Sequence, residues 1–260
     1  MDFPYDRYKS IVQQFTIYYP PGEETLARWI MPTLEKACEH LSQLLGHFDT
    51  DMDVLIVASA DWHLAPHDDA DELVVPHPYW TEVTSPPTLV VPTEIDSIFG
   101  EMTAPKFAFI LYHELALAAT ELDSRPWPTD YPLWADEWPL KFAALWLSYT
   151  LDQQDGLVNQ DLADRYEDLF EPEADGKTPM TIRGFDWYED TSQEDYLKFQ
   201  ILLEQFAADL LSCYPPTILP RFFKAFRKEQ GSLLSDDVTT MLAKVLGPGG
   251  NIWLEDLVYF

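Results

Sequence analysis

One stretch concentrates residue types that can do chemistry. Positions 109–117 read Phe109-Ile110-Leu111-Tyr112-His113-Glu114-Leu115-Ala116-Leu117, an imidazole beside a carboxylate in an otherwise apolar run. In a helical His-Glu-x-x-His pattern, two imidazoles one turn apart hold zinc on one face, and the Glu takes a proton from the metal-bound water. His113 and Glu114 fill the first two positions, but the second imidazole position is Leu117, which has no lone pair to donate. Ala116, one residue earlier, cannot substitute. Two further groups lie downstream: the acids of Trp134-Ala135-Asp136-Glu137, and the phenol of Asp195-Tyr196-Leu197-Lys198-Phe199-Gln200.

The elements that must position these groups follow from periodicity and punctuation. Residues 12–19 alternate β-formers and read as a strand ending at Pro20-Pro21-Gly22. A helix then opens on Glu23 and Glu24, with a stripe of Leu26, Ile30, Leu34, Cys38, Leu41 and Leu45, and a stop at Gly46. Residues 53–60 and 88–92 are short apolar runs read as strands, with a loop over 62–77. The His-Glu helix covers 104 to about 121, a Pro- and Trp-rich bend 123–131, and a second strong helix 133–151. Pro139 sits awkwardly inside that helix, at a cost of about 3 kcal/mol unless the helix kinks or starts there. An amphipathic helix over 157–170, a structured loop over 171–195 and helices at 196–213, 216–228 and 235–246 follow, then a short element around Trp253. Strands thus precede helices, an α+β layout: a small mixed sheet carrying the His-Glu helix (1–125) and a mainly helical subdomain carrying Trp-x-x-Glu (126–260), packed as one unit.

On these residues and this order the chain resembles the gluzincin, or peptidase MA-like, zinc metallopeptidases. The resemblance implies Glu137, in the Trp-x-x-Glu helix, as the carboxylate metal ligand beside His113, and Glu114 as the base. It also implies Tyr196 as the phenol that steadies the tetrahedral intermediate, from the likeness of the 195–200 segment to the family's Tyr-x-Lys-Gly. The end of the chain, Leu246-Gly-Pro-Gly-Gly-Asn-Ile-Trp253, is similar to the end of such catalytic domains. The departures share a direction. Leu117 replaces a ligand, Trp138 follows Glu137 where the family has glycine, and Phe199 stands where another glycine is expected. Large apolar side chains at these places fill a metal pocket as a core fills.

Composition narrows the classes. The formal charge of −29, with 16 Lys and Arg against 45 Asp and Glu, excludes nucleic acid and disfavours anionic membranes, whose phosphates it repels. A peptide or protein partner is compatible with it. Cys38 and Cys213 are too few for a disulfide framework or a thiolate zinc site and read as buried thiols. The opening residues lack the layout of a signal peptide and no apolar run reaches spanning length, so the expectation is a cytoplasmic protein. Replacements for the missing imidazole are poor. His63 and His67 are four apart but separated by Pro66, His77 lies between prolines, Asp136 diverges from Glu137, and Glu121 is two turns beyond His113. Asp68, Asp69, Asp71 and Glu72 lack the spacing of a calcium loop. There is no phosphate-binding glycine loop and no nucleophile elbow.

The resulting expectation is a pseudoenzyme relative of the gluzincins that binds a partner through the former cleft, without a cofactor. In that case His113, Glu114, Glu137 and Tyr196 persist as a polar cluster. The alternative is an active zinc-dependent hydrolase completed by an atypical third ligand, with His113 and Glu137 on zinc.

Overall fold

The computed structural model describes residues 3–46, 51–67, 75–95, 98–171, 180–186 and 191–260. The fold is mixed α and β, with one five-stranded sheet and several helices. The chain divides into two compact units: Met1–Gln43 with His47–Asp123, and Leu44–Gly46 with Ser124–Phe260.

The first unit holds the sheet. Its strands are β1 (Lys9–Val12), β2 (Thr16–Tyr19), β3 (Asp53–Val57), β4 (Tyr79–Thr81) and β5 (Thr88–Pro92), ordered β1-β2-β3-β5-β4. The stretch 12–19, expected as one strand, is the turn and second arm of a hairpin, with Val12 opposite Thr16. Three residues suffice to reverse the chain there, and periodicity alone does not reveal so tight a turn. The helix α1 (Glu24–Leu45) joins β2 to β3, which run parallel as such a crossover requires. Its buried residues include Ile30, Leu34, Cys38 and Leu41 from the anticipated stripe.

The inner strands β3 and β5, also parallel, are apolar on both faces. Sheets buried on both sides read as continuous hydrophobic runs, which is why Asp53-Val-Leu-Ile-Val and Thr88-Leu-Val-Val stood out without alternation. On one face, Leu55, Val57 and Val90 pack with Trp62 and Ala65, bordered by Phe3, Tyr8, Tyr18 and Tyr79. Tyr8 fastens this border, donating to Asp61 at 3.1 Å and accepting the Ala58 N–H at 3.2 Å. Residues 59–64 form a short 3-10 helix that takes the end of the stretch read as strand, which stops at Val57, and the start of the stretch read as loop. The acidic run 68–72 lies outside the described residues.

The helix α2 (Ala104–Glu121) completes this unit, capped by the Thr103 side chain, which accepts from the Lys106 N–H at 3.4 Å. It packs against β4, the antiparallel edge strand.

The second unit is helical: α3 (Leu133–Leu151), α4 (Gln160–Arg165), α5 (Gln193–Cys213), α6 (Ile218–Phe226), α7 (Ser235–Leu246) and α8 (Gly250–Glu255). The single helix expected over 157–170 is α4 followed by a 3-10 turn at Glu167–Phe170. α5 starts at Gln193, three residues earlier than expected, because Ser192 accepts the Asp195 N–H at 3.1 Å and so caps it. α3 runs from Leu133 through Pro139, so the helix neither starts nor ends at the proline.

α3 packs chiefly on α5, around fully buried Trp138, Phe142 and Phe206. α7 ends at Gly247, whose φ of +96° suits glycine, and the chain turns straight into α8. Gly250 there lies so near α7 that a Cβ would sit 2.6 Å from the Ala243 carbonyl oxygen.

Among the described residues no helix is long and apolar enough to cross a membrane.

Candidate functional site

α2 places His113 and Glu114 next to one another in its middle. Most of the helix is buried, in keeping with its lack of a polar face; His113 and Leu117 are two of its few half-exposed residues. Four apart, these two share one face of the helix. The surface on which the His-Glu-x-x-His pattern sets two imidazoles therefore presents one imidazole and one isobutyl group.

Glu114 is buried, and both of its oxygens are engaged. His113 Nδ1 lies 3.2 Å from Oε1, and the Trp80 backbone N–H donates to Oε2 at 3.1 Å. The second bond explains itself from the register. Trp80 stands opposite Leu89 in the antiparallel β4–β5 pair, between Tyr79 opposite Val90 and Thr81 opposite Thr88. In such a ladder alternate residues turn their N–H away from the partner strand. Trp80 is the outward-facing residue of β4, on the open edge of the sheet, and Glu114 satisfies its N–H. A carboxylate accepting a backbone N–H makes a charge-assisted bond, stronger than a neutral one. Glu114 thus ties the helix to the sheet edge.

Trp80 was not among the residues singled out by sequence. The signal was present, since Tyr79, Trp80 and Thr81 are all strong β-formers, but three residues make a weak strand pattern.

Glu137 and Tyr196 belong to the second unit, on α3 and α5 respectively, and both are half-buried. Trp138 and Phe199, expected as glycine from the resemblance, are core residues. Trp138 is fully buried, with ring centroids 4.8 Å from Phe222, 6.0 Å from Phe142 and 6.1 Å from Phe206. Phe199 is fully buried and stacks on Phe185 at 4.2 Å.

Other weighed residues are placed as follows. His63 is the penultimate residue of the 59–64 turn and is exposed, and His67 Nδ1 lies 2.7 Å from the Ala65 carbonyl oxygen. Since that turn stops at Leu64, the two histidines do not share a helix. His77 and Asp136 are half-buried, and Glu121 is the exposed last residue of α2. Cys38 is buried in α1, where burial pushes its thiol up to about 12, while Cys213 is exposed rather than buried as expected.

A zinc ion held in the family's manner does not fit these residues. The helix offers one imidazole, Leu117 has no donor atom, and both oxygens of the neighbouring carboxylate are already engaged, by Trp80 and His113. Among the described residues, no three His, Cys, Asp or Glu side chains come together as a metal site.

No protein-family model matches this chain, and no curated protein matches it.

Proposed function

We propose that this chain is a non-catalytic relative of the gluzincin peptidases that works by binding a peptide or protein partner. The observation that carries the reading is the occupation of Glu114: both oxygens are engaged, with a leucine in the second imidazole place one turn on. A general base must be free to reach the proton it takes. Here the same carboxylate holds a main-chain N–H of the sheet edge and serves as a structural acceptor.

Two further features support the family likeness and its decay together. A small mixed sheet accompanies the His-Glu helix, as the resemblance implies, and its strand β4 packs against that helix. Trp138 and Phe199, at positions where the family keeps glycine, are invested in aromatic packing. In this reading His113 and Glu114 persist because they hold one another and the sheet edge, and the function is recognition.

The test is hydrolysis of a mixed fluorogenic peptide library by the purified chain after zinc loading. The reading expects turnover indistinguishable from buffer, unchanged by Glu114→Gln. Turnover abolished by that substitution would overturn it.

A further inference from the structure

Basic residues are scarce in this chain, 16 against 45 acids, yet four of them, Arg221, Lys224, Arg227 and Lys228, fall between positions 221 and 228. The surrounding stretch from 214 to 235 contains a single acid, Glu229. The helix there is strongly two-sided. α6 buries Ile218, Leu219, Phe222, Phe223 and Phe226, while Arg221, Lys224 and Lys228 are exposed. Spaced i, i+3, i+7, these three line the opposite face. Lys228 extends that face just past the helix end, where its N–H still bonds the Ala225 carbonyl at 3.2 Å.

Arg227 has a structural explanation. Its guanidinium lies 4.1 Å from the Trp127 ring centroid and donates to the Arg125 carbonyl at 2.5 Å, fastening the 125–131 bend. The other three have none. Among the described residues, Arg221, Lys224 and Lys228 form no ion pair. Elsewhere the chain pairs helical cations with acids four residues away, Arg28 with Glu24 at 2.7 Å and Lys198 with Glu194 at 2.9 Å. On α6 the residue four beyond Lys224 is Lys228, a like-charge pair that weakens a helix. The helix dipole favours cations near the C-terminal end, which suits Lys224 and Lys228, but it asks for neither Arg221 nor the missing acids.

We propose that the face formed by Arg221, Lys224 and Lys228 docks a short acidic segment of a partner protein. The arginine takes a carboxylate in a two-pronged grip and the lysines act as point charges beside it. The occupant's size follows from the charge around it. Seven residue steps along a helix span about 10 Å, close to one Debye length at about 0.1 M salt. A nucleic acid or an anionic bilayer extends far beyond that distance and meets the field of a chain with net charge −29. A short run of Asp or Glu meets only the stripe. The proposal stands independently of the peptidase resemblance.

The probe is a fluorescent Glu-rich peptide of about six residues, long enough when extended to span the stripe, followed by anisotropy at low and at physiological salt. Binding is expected at low salt, weakened by added salt, and absent for the matching Gln peptide. The triple variant Arg221→Gln/Lys224→Gln/Lys228→Gln should lose about tenfold or more in affinity, with an unchanged thermal midpoint because all three side chains are exposed. The control Lys9→Gln/Lys36→Gln, which removes two exposed lysines elsewhere, should bind as the parent does. No binding at low salt, equal binding by the triple variant, or tighter binding of a single-stranded oligonucleotide or phosphatidylserine vesicles would each overturn the proposal.

Discussion

The Glu114 carboxylate accepts the Trp80 backbone N–H at 3.1 Å, so a side chain in the middle of a helix terminates the open edge of the sheet. Unpaired edge N–H groups invite pairing with other chains, and natural sheets cover them in several ways. This chain uses the one buried acid of its apolar helix. The same carboxylate also lies 3.2 Å from His113 Nδ1, so helix, sheet edge and imidazole meet on one group.

Its loss should therefore register in stability. Glu114→Ala removes the acceptor of the Trp80 N–H, at an expected cost of about 1–3 kcal/mol. Glu114→Gln keeps a carbonyl oxygen for Trp80 and should cost less. Urea unfolding of the three proteins measures the order. A carboxylate kept only for catalysis would give no loss, or a gain, on replacement.

The burial of Trp138 gives a second expectation. Trp138 is fully buried among Phe142, Phe206 and Phe222. Trp138→Ala should destabilise by about 3–5 kcal/mol, the usual range for deleting a large buried ring. A change within about 0.5 kcal/mol, typical of a surface site, would show that the ring is not part of the core.

A buried acid in the helical unit supplies a third. Glu204 on α5 accepts the Val158 and Asn159 backbone N–H groups at 2.5 and 3.0 Å and the Asn159 side-chain amide at 2.6 Å. It holds the turn that leads into α4. Glu204→Gln removes the charge and one acceptor, and the expected cost is about 1.5–3 kcal/mol, the range for bonds to charged groups. Burial, and then the Glu204 charge, push the Tyr149 hydroxyl up to about 12. The same variant should lower the pH at which Tyr149 itself ionises, read as the difference in tyrosinate absorbance between each protein and its Tyr149→Phe counterpart.

Alkaline behaviour follows from the same groups. Burial raises Tyr8, and likewise Tyr149, from the ordinary 10.0 to about 12. Both stay neutral in the fold while their unfolded counterparts ionise near 10, so unfolding releases protons between these values. Their contribution to stability is fully present below pH 10 and is lost as pH rises toward 12. Thermal midpoints recorded across that window should fall, and Tyr8→Phe should flatten the fall. A slope unaltered in Tyr8→Phe would contradict the assignment.

Much of the frame was legible in the residues. The continuous apolar runs of β3 and β5 announced buried strands, and the helix 104–121 and helix 133–151 stood at the bounds that α2 and α3 occupy. What escaped was short or local. The 13–15 turn has no glycine to mark it, and β4 offers only three β-formers. The site was legible as residue types and not as bonds. Nothing in the order of residues 80 and 114 announces that they meet, because a contact 34 positions apart depends on the register of an edge strand. Cys213 was read as buried from its apolar neighbours, yet as the last residue of α5 it faces outward, since the helix, and not the neighbourhood in sequence, sets direction.

Zinc stoichiometry tests the proposal that this chain, though it resembles the gluzincins, does not hold their metal. The tag-free chain and Leu117→His are loaded with zinc, desalted and measured by elemental mass spectrometry. The account expects far less than one zinc per chain for the parent and a clear rise for Leu117→His, whose second imidazole lies one turn from His113. A parent that retains about one zinc per chain, and loses it on His113→Ala, would contradict the account.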